Sequence, residues 1–357
     1  MKHSWANRKI CLGLFSSVVF LTLAMQQVDW GRTASTLRDA DWLLACLGIV
    51  AGVATIVTFA FRWRLLLSST AEVSVNDTFS YITIGYLANM VFPLRLGEVA
   101  RAVLLGRRHG ISSSLVFGSV VLERTLDLLT VLILALAMSF VVNIPPVIRA
   151  GMMTLAAAGL VALGTLLIIA RGGEHILAFV RKLPGFVPRI LVESIVALVP
   201  RFAAGLATLR DRRALGSALC LSVLAWAIAG AATVSYIEAF RLRAPWYAGL
   251  FVLTVTNLGS AIPSSPGFIG VYHYLAVLAL SVWIPDKSEA LAYAIGTHGI
   301  SVLVHILLGC MCLAREGVTL KSIGTRSEIV IQEPSSSQDP NVESLVLSHV
   351  SPTDGNR

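Results

Sequence analysis

The chain has 357 residues, of which 56% are apolar and only 13% are charged, and its formal net charge is +8. A soluble domain of this length needs more charged side chains to cover its surface, so the composition excludes that class. It indicates an all-α polytopic membrane protein, because a helix satisfies its own backbone hydrogen bonds in lipid.

Six apolar stretches are long enough to cross a bilayer core of about 30 Å as helices. They are residues 10–28, 42–61, 119–142, 148–170, 215–240 and 290–313. The first could imitate a signal peptide, but Met25-Gln26-Gln27 offers no small-residue cleavage site, so we predict a retained helix. The sequence therefore predicts about six full transmembrane helices.

Basic residues beside these stretches predict the orientation, because loops rich in Lys and Arg stay in the cytoplasm. Lys2, Arg8 and Lys9 place the N-terminus there. Arg62 and Arg64 bring the chain back after the second stretch. We expect a multi-pass protein of the cytoplasmic membrane with both termini in the cytoplasm.

A first broken segment, at about residues 78–106, is too short for two full spans. Its halves before and after Pro93 would rise only about 22 and 16 Å. Pro93 ends the first half, Gly97 lies at the turn, and Asn89 precedes both. This pattern predicts a re-entrant hairpin that enters from the cytoplasm.

A second broken segment lies at about residues 246–284, where prolines and glycines interrupt two short apolar halves. The break and its flanks contain Asn257, Pro263, Pro266, Gly267 and Gly270. We predict a second re-entrant hairpin of opposite orientation, entered from the outside. Broken helices at corresponding places in two halves indicate a transporter-type site. The alternative is a pair of proline kinks in ordinary short spans.

The membrane domain is predicted to comprise residues 1–314. Within it, residues 171–213 form a basic loop with apolar side chains at helical spacing. That pattern is typical of an amphipathic helix on the inner membrane face. Residues 315–357 are rich in Ser, Pro and acidic groups and are predicted to form a disordered cytoplasmic tail.

Charged residues near the first break are costly in a bilayer, at about 2.5–3.5 kcal/mol each, so partners are expected. Arginine suits phosphate, because its planar fork donates two parallel hydrogen bonds. The hypothesised anion-binding residues are Arg95, Arg101 and Arg124, and the carboxylates that would hold them in place are Glu98, Glu123 and Asp127. The alternative is an ion-pair network that only locks helices together.

Two histidines accompany the second half of the membrane domain. His273 follows the second break, and His298 lies on the last predicted span. Proton relays use such residues, so both are candidates for a proton-linked role, whereas a lone membrane histidine is more often a packed hydrogen-bonding group. The five cysteines lack C-x-x-C spacing and no P-loop occurs, so we expect no metal and no cofactor.

Three motifs occur together in this chain. They read Tyr86-x2-Asn89-x3-Pro93-x3-Gly97-Glu98-x2-Arg101, then Glu123-Arg124-x2-Asp127, then Pro263-x2-Pro266-Gly267-x2-Gly270. Together they resemble the lysylphosphatidylglycerol synthase transmembrane family, from about the second helix to Arg315. Many relatives carry an acidic residue where this chain has His273.

The resemblance implies a helical membrane domain with re-entrant helices that moves lipids between leaflets. Relatives are associated with aminoacylated phospholipids, polyprenyl-linked sugars or hopanoids. The family's aminoacyl-transfer domain is a separate soluble region. We do not expect that domain here, because the polar residues 315–357 are too few to form it.

The leading hypothesis is a flippase-like lipid translocase that moves an anionic or glycosylated lipid headgroup and is not an enzyme. We expect membrane lipids as partners, lipid-synthesis enzymes as further candidates, and no nucleic acid. One alternative is a membrane-embedded lipid-modifying enzyme, although G-x-S-x-G and H-E-x-x-H motifs are absent from the sequence. The other is a non-transporting partner in a lipid-synthesis complex.

Overall fold

The computed structural model describes residues 2–92, 96–144, 146–181, 189–209, 211–259 and 264–320. Within these ranges the chain is helical and has no strand, which confirms the all-α class. In chain order the helices are α1 (Lys2–Met25), α2 (Trp30–Arg38), α3 (Trp42–Leu67), α4 (Val75–Val91), α5 (Leu96–His109), α6 (Ser113–Ser139), α7 (Pro146–Arg181), α8 (Arg189–Ala204), α9 (Arg212–Ala239), α10 (Tyr247–Gly259), α11 (Val271–Leu280) and α12 (Lys287–Glu316).

Aspartate side chains cap the start of several of these helices. Asp41, Asp211 and Asp286 accept hydrogen bonds from the first free backbone N–H groups of α3, α9 and α12. A carboxylate at this position satisfies those donors and interacts favourably with the helix dipole. The sequence thereby fixes where three long apolar helices begin.

Four described helices are long and apolar enough to cross a membrane. They are Trp42–Leu67, Ile148–Ala170, Arg212–Ala239 and Lys287–Glu316, and they coincide with four of the six predicted spans. The other two predicted spans coincide with α1, of which Gly13–Met25 is a shorter apolar helix, and with α6, whose first half carries Glu123, Arg124 and Asp127.

The first broken segment is a helical hairpin. Its arms α4 and α5 have 17 and 14 residues, so they rise about 26 and 21 Å. Gly97 at the start of α5 presses against the carbonyl of Gly85 in α4, and a Cβ atom would not fit there. The Asn89 side chain accepts a hydrogen bond from the Gly97 N–H at 2.9 Å, which closes the hairpin. Pro93 lies outside the described residues.

The second broken segment is also a hairpin, with arms α10 and α11 of 13 and 10 residues that rise about 20 and 15 Å. Gly259 and Leu275 bring the arms into contact. Gly267 and Gly270 adopt positive φ angles of 71° and 89°, which glycine tolerates best, so the chain turns there. Pro263 lies outside the described residues.

Helix α1 holds the second break from the other side. The Ser265 N–H donates to the Ser17 hydroxyl at 2.8 Å, and Gly270 lies against the Ser17 carbonyl. The first helix is therefore part of the structure around the break.

The tips of the two hairpins meet in the interior. An atom at the Cβ position of Gly267 would lie 3.4 Å from the sulfur of Met90, at the end of α4. A cavity of about 370 Å³ opens at this meeting point, between α3, α4, α9, α10, α11 and α12. The two breaks are distant in the sequence, but the hairpins that contain them line the same cavity.

Much of the predicted amphipathic loop at residues 171–213 is helical. Helix α7 continues to Arg181, helix α8 occupies Arg189–Ala204, and Leu206 beyond it is fully buried. The Thr208 hydroxyl donates to the Leu66 carbonyl at 3.1 Å, and Gly118 of α6 lies against the Phe202 carbonyl. The end of this segment therefore packs against α3 and α6.

The first residues of the predicted tail belong to a helix. Helix α12 continues to Glu316 and ends at Gly317, which adopts the left-handed conformation of a helix C-cap. Residues 321–357, which contain most of the predicted tail, lie outside the described residues.

Candidate functional site

A buried ion-pair cluster joins the first hairpin to α6. The Arg101 guanidinium, one turn into α5, donates to both Glu123 oxygens at 3.0 and 3.3 Å. Both side chains are at most 3% exposed. A two-pronged contact of this kind is the strong form of an arginine–carboxylate pair, so it fixes α5 against α6.

Arg124 adds a second positive charge on the other side of Glu123. Its guanidinium donates to Glu123 at 2.7 Å and lies 3.6 Å from Asp127. Unlike Arg101, the Arg124 side chain is 38% exposed. Arg124 is therefore accessible to a ligand, while its carboxylate partners are not.

Arg62 completes the cluster, and the sequence reasoning missed it. It was interpreted as a loop charge that marks the cytoplasmic side, yet α3 continues to Leu67 and Arg62 is fully buried. Its guanidinium donates to Asp127 at 2.7 Å and to the Ser222 hydroxyl at 2.9 Å. The apolar residues 65–67 that follow Arg62 are the sequence signal that the helix does not end there.

Asp127 lies where three helices meet. Besides the arginines, it accepts a hydrogen bond from the Trp226 indole N–H at 3.2 Å. Trp226 belongs to α9, so Asp127 connects α3, α6 and α9. Removing the carboxylate would leave donors on all three helices without their acceptor.

The cluster carries more positive than negative charge. Counting only side chains in ion-pair contact, Arg62, Arg101 and Arg124 face Glu123 and Asp127, so three positive and two negative charges leave a net +1. The charge of the nearby Glu98 acts on Arg124 from outside this set. Within the described part of the chain, the buried Nε atoms of Arg62 and Arg124 have no hydrogen-bond partner. The cluster therefore has both charge and donors to offer an anion.

Glu98 contacts Asn89 and also acts on Arg124. It accepts hydrogen bonds from the Asn89 side-chain amide at 3.3 and 3.4 Å, within the first hairpin. Its charge also lies near enough to Arg124 to interact with that guanidinium, without an ion-pair contact between the two. Arg95 lies outside the described residues.

Two aromatic rings of α3 lie against arginines of the cluster. The Arg101 guanidinium stacks 4.7 Å above the Trp63 ring, and Arg62 lies 4.7 Å above the Phe59 ring. Such contacts stabilise a positive charge away from water. Phe59 also lines the central cavity, so a single ring separates Arg62 from that space.

The cavity beside the cluster has an uncharged wall. Its described lining consists of apolar, hydroxyl, amide and histidine side chains from both hairpins and the neighbouring helices, without Asp, Glu, Lys or Arg. Tyr86, Asn257 and Tyr272 are among the polar groups. About 370 Å³ falls at the lower end of the roughly 300–1,000 Å³ typical of small-molecule sites.

His273 and His298 lie together at the second break. Their ring centroids are 4.8 Å apart. The His298 Nε2 atom lies 2.8 Å from the Gly267 carbonyl, and the Gly270 N–H donates to His273 Nδ1 at 3.3 Å. Each histidine thus makes a hydrogen bond to one of the two glycines at which the chain turns. The described residues contain no cluster of three or more His, Cys, Asp or Glu side chains suited to a metal.

The fold and the site define a helical membrane protein in which two broken helical hairpins converge beside a buried arginine–carboxylate cluster. The chain belongs to the family described as the lysylphosphatidylglycerol synthase TM region, whose model matches residues 10–309. This confirms the resemblance inferred from the motifs and extends it through the first helix.

Two named relatives are similar to the chain. It is 26% identical over 345 residues to the glycosyltransferase AglD of Haloferax volcanii, covering 87% of this chain and 55% of AglD. It is 26% identical over 226 residues to the UPF0104 membrane protein MJ1078 of Methanocaldococcus jannaschii, covering 62% of this chain and 91% of that protein. No solved structure matches the chain.

Proposed function

We propose that this protein is a flippase-like lipid translocase that moves an anionic or glycosylated lipid headgroup across the cytoplasmic membrane. The observation that carries the proposal is the buried cluster of three arginines against two carboxylates, placed next to a cavity where both hairpin tips meet. Buried charges inside membrane domains mark the routes of polar substrates.

The headgroup phosphate is proposed to bind at Arg124, with Arg62 and Arg101 adding positive charge behind it. Arg124 is the exposed arginine of the cluster, and its contacts with Glu123 and Asp127 hold the guanidinium in place. An incoming phosphate would pair with the unmatched positive charge and accept hydrogen bonds from the exposed part of the Arg124 guanidinium. Glu98 and Asn89 support this site indirectly, by keeping the first hairpin closed.

The route across the membrane is proposed to pass between the two hairpins. In this arrangement α1, α3, α6, α7, α9 and α12 span the membrane fully, and the hairpins α4–α5 and α10–α11 re-enter from the cytoplasmic and outer sides, with both termini cytoplasmic. The hairpin arms, about 15–26 Å long, are too short to cross a core of about 30 Å. Broken helices that meet at mid-membrane are typical of transporter sites.

A membrane-embedded enzyme is the second candidate, favoured by the name of the relative AglD. The ion pairs of the two carboxylates argue against an enzyme. Glu123 and Asp127 are held by arginines and are poorly placed to exchange protons with a substrate. The chain also spans 55% of AglD, so the activity in that name belongs to a protein with a further region. A non-transporting partner of lipid-synthesis enzymes is the third candidate.

The test is lipid movement by the purified full chain in vesicles that contain NBD-labelled phosphatidylglycerol. Dithionite bleaches the label in the outer leaflet only, so the protected fraction reports transbilayer movement. We expect wild-type protein to accelerate movement and Arg124→Gln to slow it about tenfold or more, because a hydrogen-bonded charge pair contributes about 1.5–3 kcal/mol.

The matched control is Arg315→Gln, since Arg315 is 53% exposed at the end of α12 and lies outside the cluster. This variant should move lipid at the wild-type rate. Equal rates in Arg124→Gln and wild type would contradict the proposed site. Absence of movement by wild-type protein would contradict the translocase, and covalent change of the lipid by pure protein would establish the enzyme.

A further inference from the structure

The start of α11 is capped by a histidine that must be neutral. The Gly270 N–H, which precedes α11, donates to Nδ1 of His273. An imidazole nitrogen accepts a hydrogen bond only when it carries no proton. The observed cap therefore depends on the unprotonated Nδ1 of His273, and protonation would place a donor against a donor.

The partner histidine ties the same break to α12. Because the Gly267 carbonyl can only accept, Nε2 of His298 must carry the proton of this 2.8 Å bond. Gly267 adopts a positive φ angle and lies against Met90, at the tip of the first hairpin. His298 thus donates a hydrogen bond to the glycine at which the two hairpins touch.

The two rings are close enough to sense each other's charge, since their centroids are 4.8 Å apart. The titratable side chains around them are Tyr272 on α11, His305 on α12 and Tyr236 on α9. The described residues 13–25 of α1, together with α10 and α11, carry no carboxylate, lysine or arginine. Among the described residues, a proton that enters this region can bind to the histidine pair or to His305.

The cavity needs positive charge when the proposed substrate passes through it. The arginine cluster holds an anion at one edge, but the described lining contains no arginine or lysine to accompany that anion onward. Of the histidine pair, His298 lines the cavity, and the His273 ring lies 4.8 Å from it between ring centroids. A proton on this pair would offset the charge of an anion that enters with it.

We propose that His273 and His298 form a proton-binding site that couples lipid movement to proton uptake. This inference rests on the proposed function and names its energy coupling. The proton binds Nδ1 of His273, which removes the acceptor for the Gly270 N–H and uncaps the start of α11. The added charge lies beside His298, whose side chain lines the cavity, so it offsets the charge of a headgroup there, and loss of the proton to water restores the cap. No covalent bond to the lipid forms or breaks.

The first test is the pH dependence of lipid movement in the vesicle assay. Phosphatidylglycerol keeps its charge between about pH 7 and pH 4.5, so the lipid does not change. We expect the wild-type rate to rise by at least about tenfold over this range, because a histidine buried away from water gains its proton only below the ordinary histidine range. His273→Asn keeps an acceptor near Nδ1, and His298→Gln keeps a donor near Nε2, yet neither side chain titrates. Both variants should move lipid slowly at every pH.

The matched control is His305→Gln. His305 also lines the cavity, but its Nδ1 atom bonds to the Ser301 carbonyl of its own helix and does not contact the break. This variant should keep the wild-type pH profile. Lipid movement with a flat profile in wild type, or a steep profile in His273→Asn, overturns the inference and leaves the proposed function standing.

The second test does not depend on transport. Backbone hydrogen exchange of residues 264–274 is compared at about pH 7 and about pH 4.5 in nanodiscs, after correction for the intrinsic rates. We expect protection to fall at the lower pH in wild type and in His305→Gln, and to persist in His273→Asn. Equal protection of the wild-type segment at both pH values overturns the inference, even if no lipid moves.

Discussion

Two arginine clusters of this chain have nearly equal nitrogen–oxygen distances, but one is exposed to water and the other is buried. Near the start of α12, Arg32 contacts Asp286 at 2.6 Å and Glu289 at 2.7 Å, and these side chains are 55%, 30% and 29% exposed. In the interior, Arg62 contacts Asp127 at 2.7 Å, and these side chains are 0% and 10% exposed. The distances do not distinguish the clusters, but access to water does.

The difference shows which cluster the fold depends on. Water competes with the Arg32 pairs and screens them, so their loss leaves charges that are readily solvated. Loss of one member of the inner cluster leaves a charge that neither water nor lipid solvates. The inner cluster, with Arg62, Arg101 and Arg124, therefore holds α3, α5 and α6 together and carries an unmatched positive charge. The outer cluster around Arg32 only positions α2 against α12.

The largest effect is expected for Glu123→Gln. Three arginines would then face Asp127 alone, so the charge of the cluster would rise from +1 to +2. We expect a loss of about 3–5 kcal/mol in the free energy of unfolding, because arginines would stay buried without their partner. Unfolding by SDS in mixed micelles, followed by Trp fluorescence, measures it. A loss equal to that of the surface variant Glu289→Gln would remove the contrast between the clusters.

A smaller effect is expected for Arg62→Met. Two arginines would then face two carboxylates, so the charge balances, but Asp127 loses its closest cation. We expect a loss of about 1–3 kcal/mol in the same assay. Arg64→Met is the control two residues further on, because Arg64 lies outside the cluster and its guanidinium donates to the Val73 carbonyl at 3.2 Å.

The double variant Glu123→Gln/Arg62→Met sharpens the comparison. Its remaining charges, two arginines and Asp127, return the cluster to +1. We expect it to be more stable than the sum of the two single losses predicts, because residues of one network do not act independently. Strict additivity would show that the inner cluster does not behave as a unit.

The smallest effect is expected for Arg32→Ala, which should lower the midpoint of SDS unfolding only slightly and less at high salt. Burial tends to raise the pKa of Asp286, but the Ser288 hydrogen bonds and the charge of Arg32 hold that pKa below its ordinary value. The pairing therefore contributes above the unfolded-state pKa of about 3.9 and is lost as the pH falls through the lower folded-state pKa. The difference between wild type and variant should persist at neutral pH and vanish in stronger acid. A large loss of stability, insensitive to salt, would contradict this account.

Much of the architecture could be predicted from the sequence. Hydropathy located the long helices, since about 20 apolar residues suffice to cross a bilayer core. Proline and glycine located both breaks, and the spacing of Glu123, Arg124 and Asp127 predicted one charged helix face. The anion site and the proton-linked histidines stay predictions, because chemistry at a site is only tested by measurement.

The amino-acid sequence by itself determined the membrane class, the helices and the two breaks, because hydropathy, caps and turn residues act over a few neighbouring residues. Only the tertiary structure decided that Arg62 is buried, since its partners Asp127 and Ser222 lie 65 and 160 residues away in the chain. It also decided that the hairpin tips meet, that α1 supports the second break, and that Glu98 contacts Asn89. Such contacts depend on how helices pack, and no local pattern records which distant side chain will satisfy a buried charge.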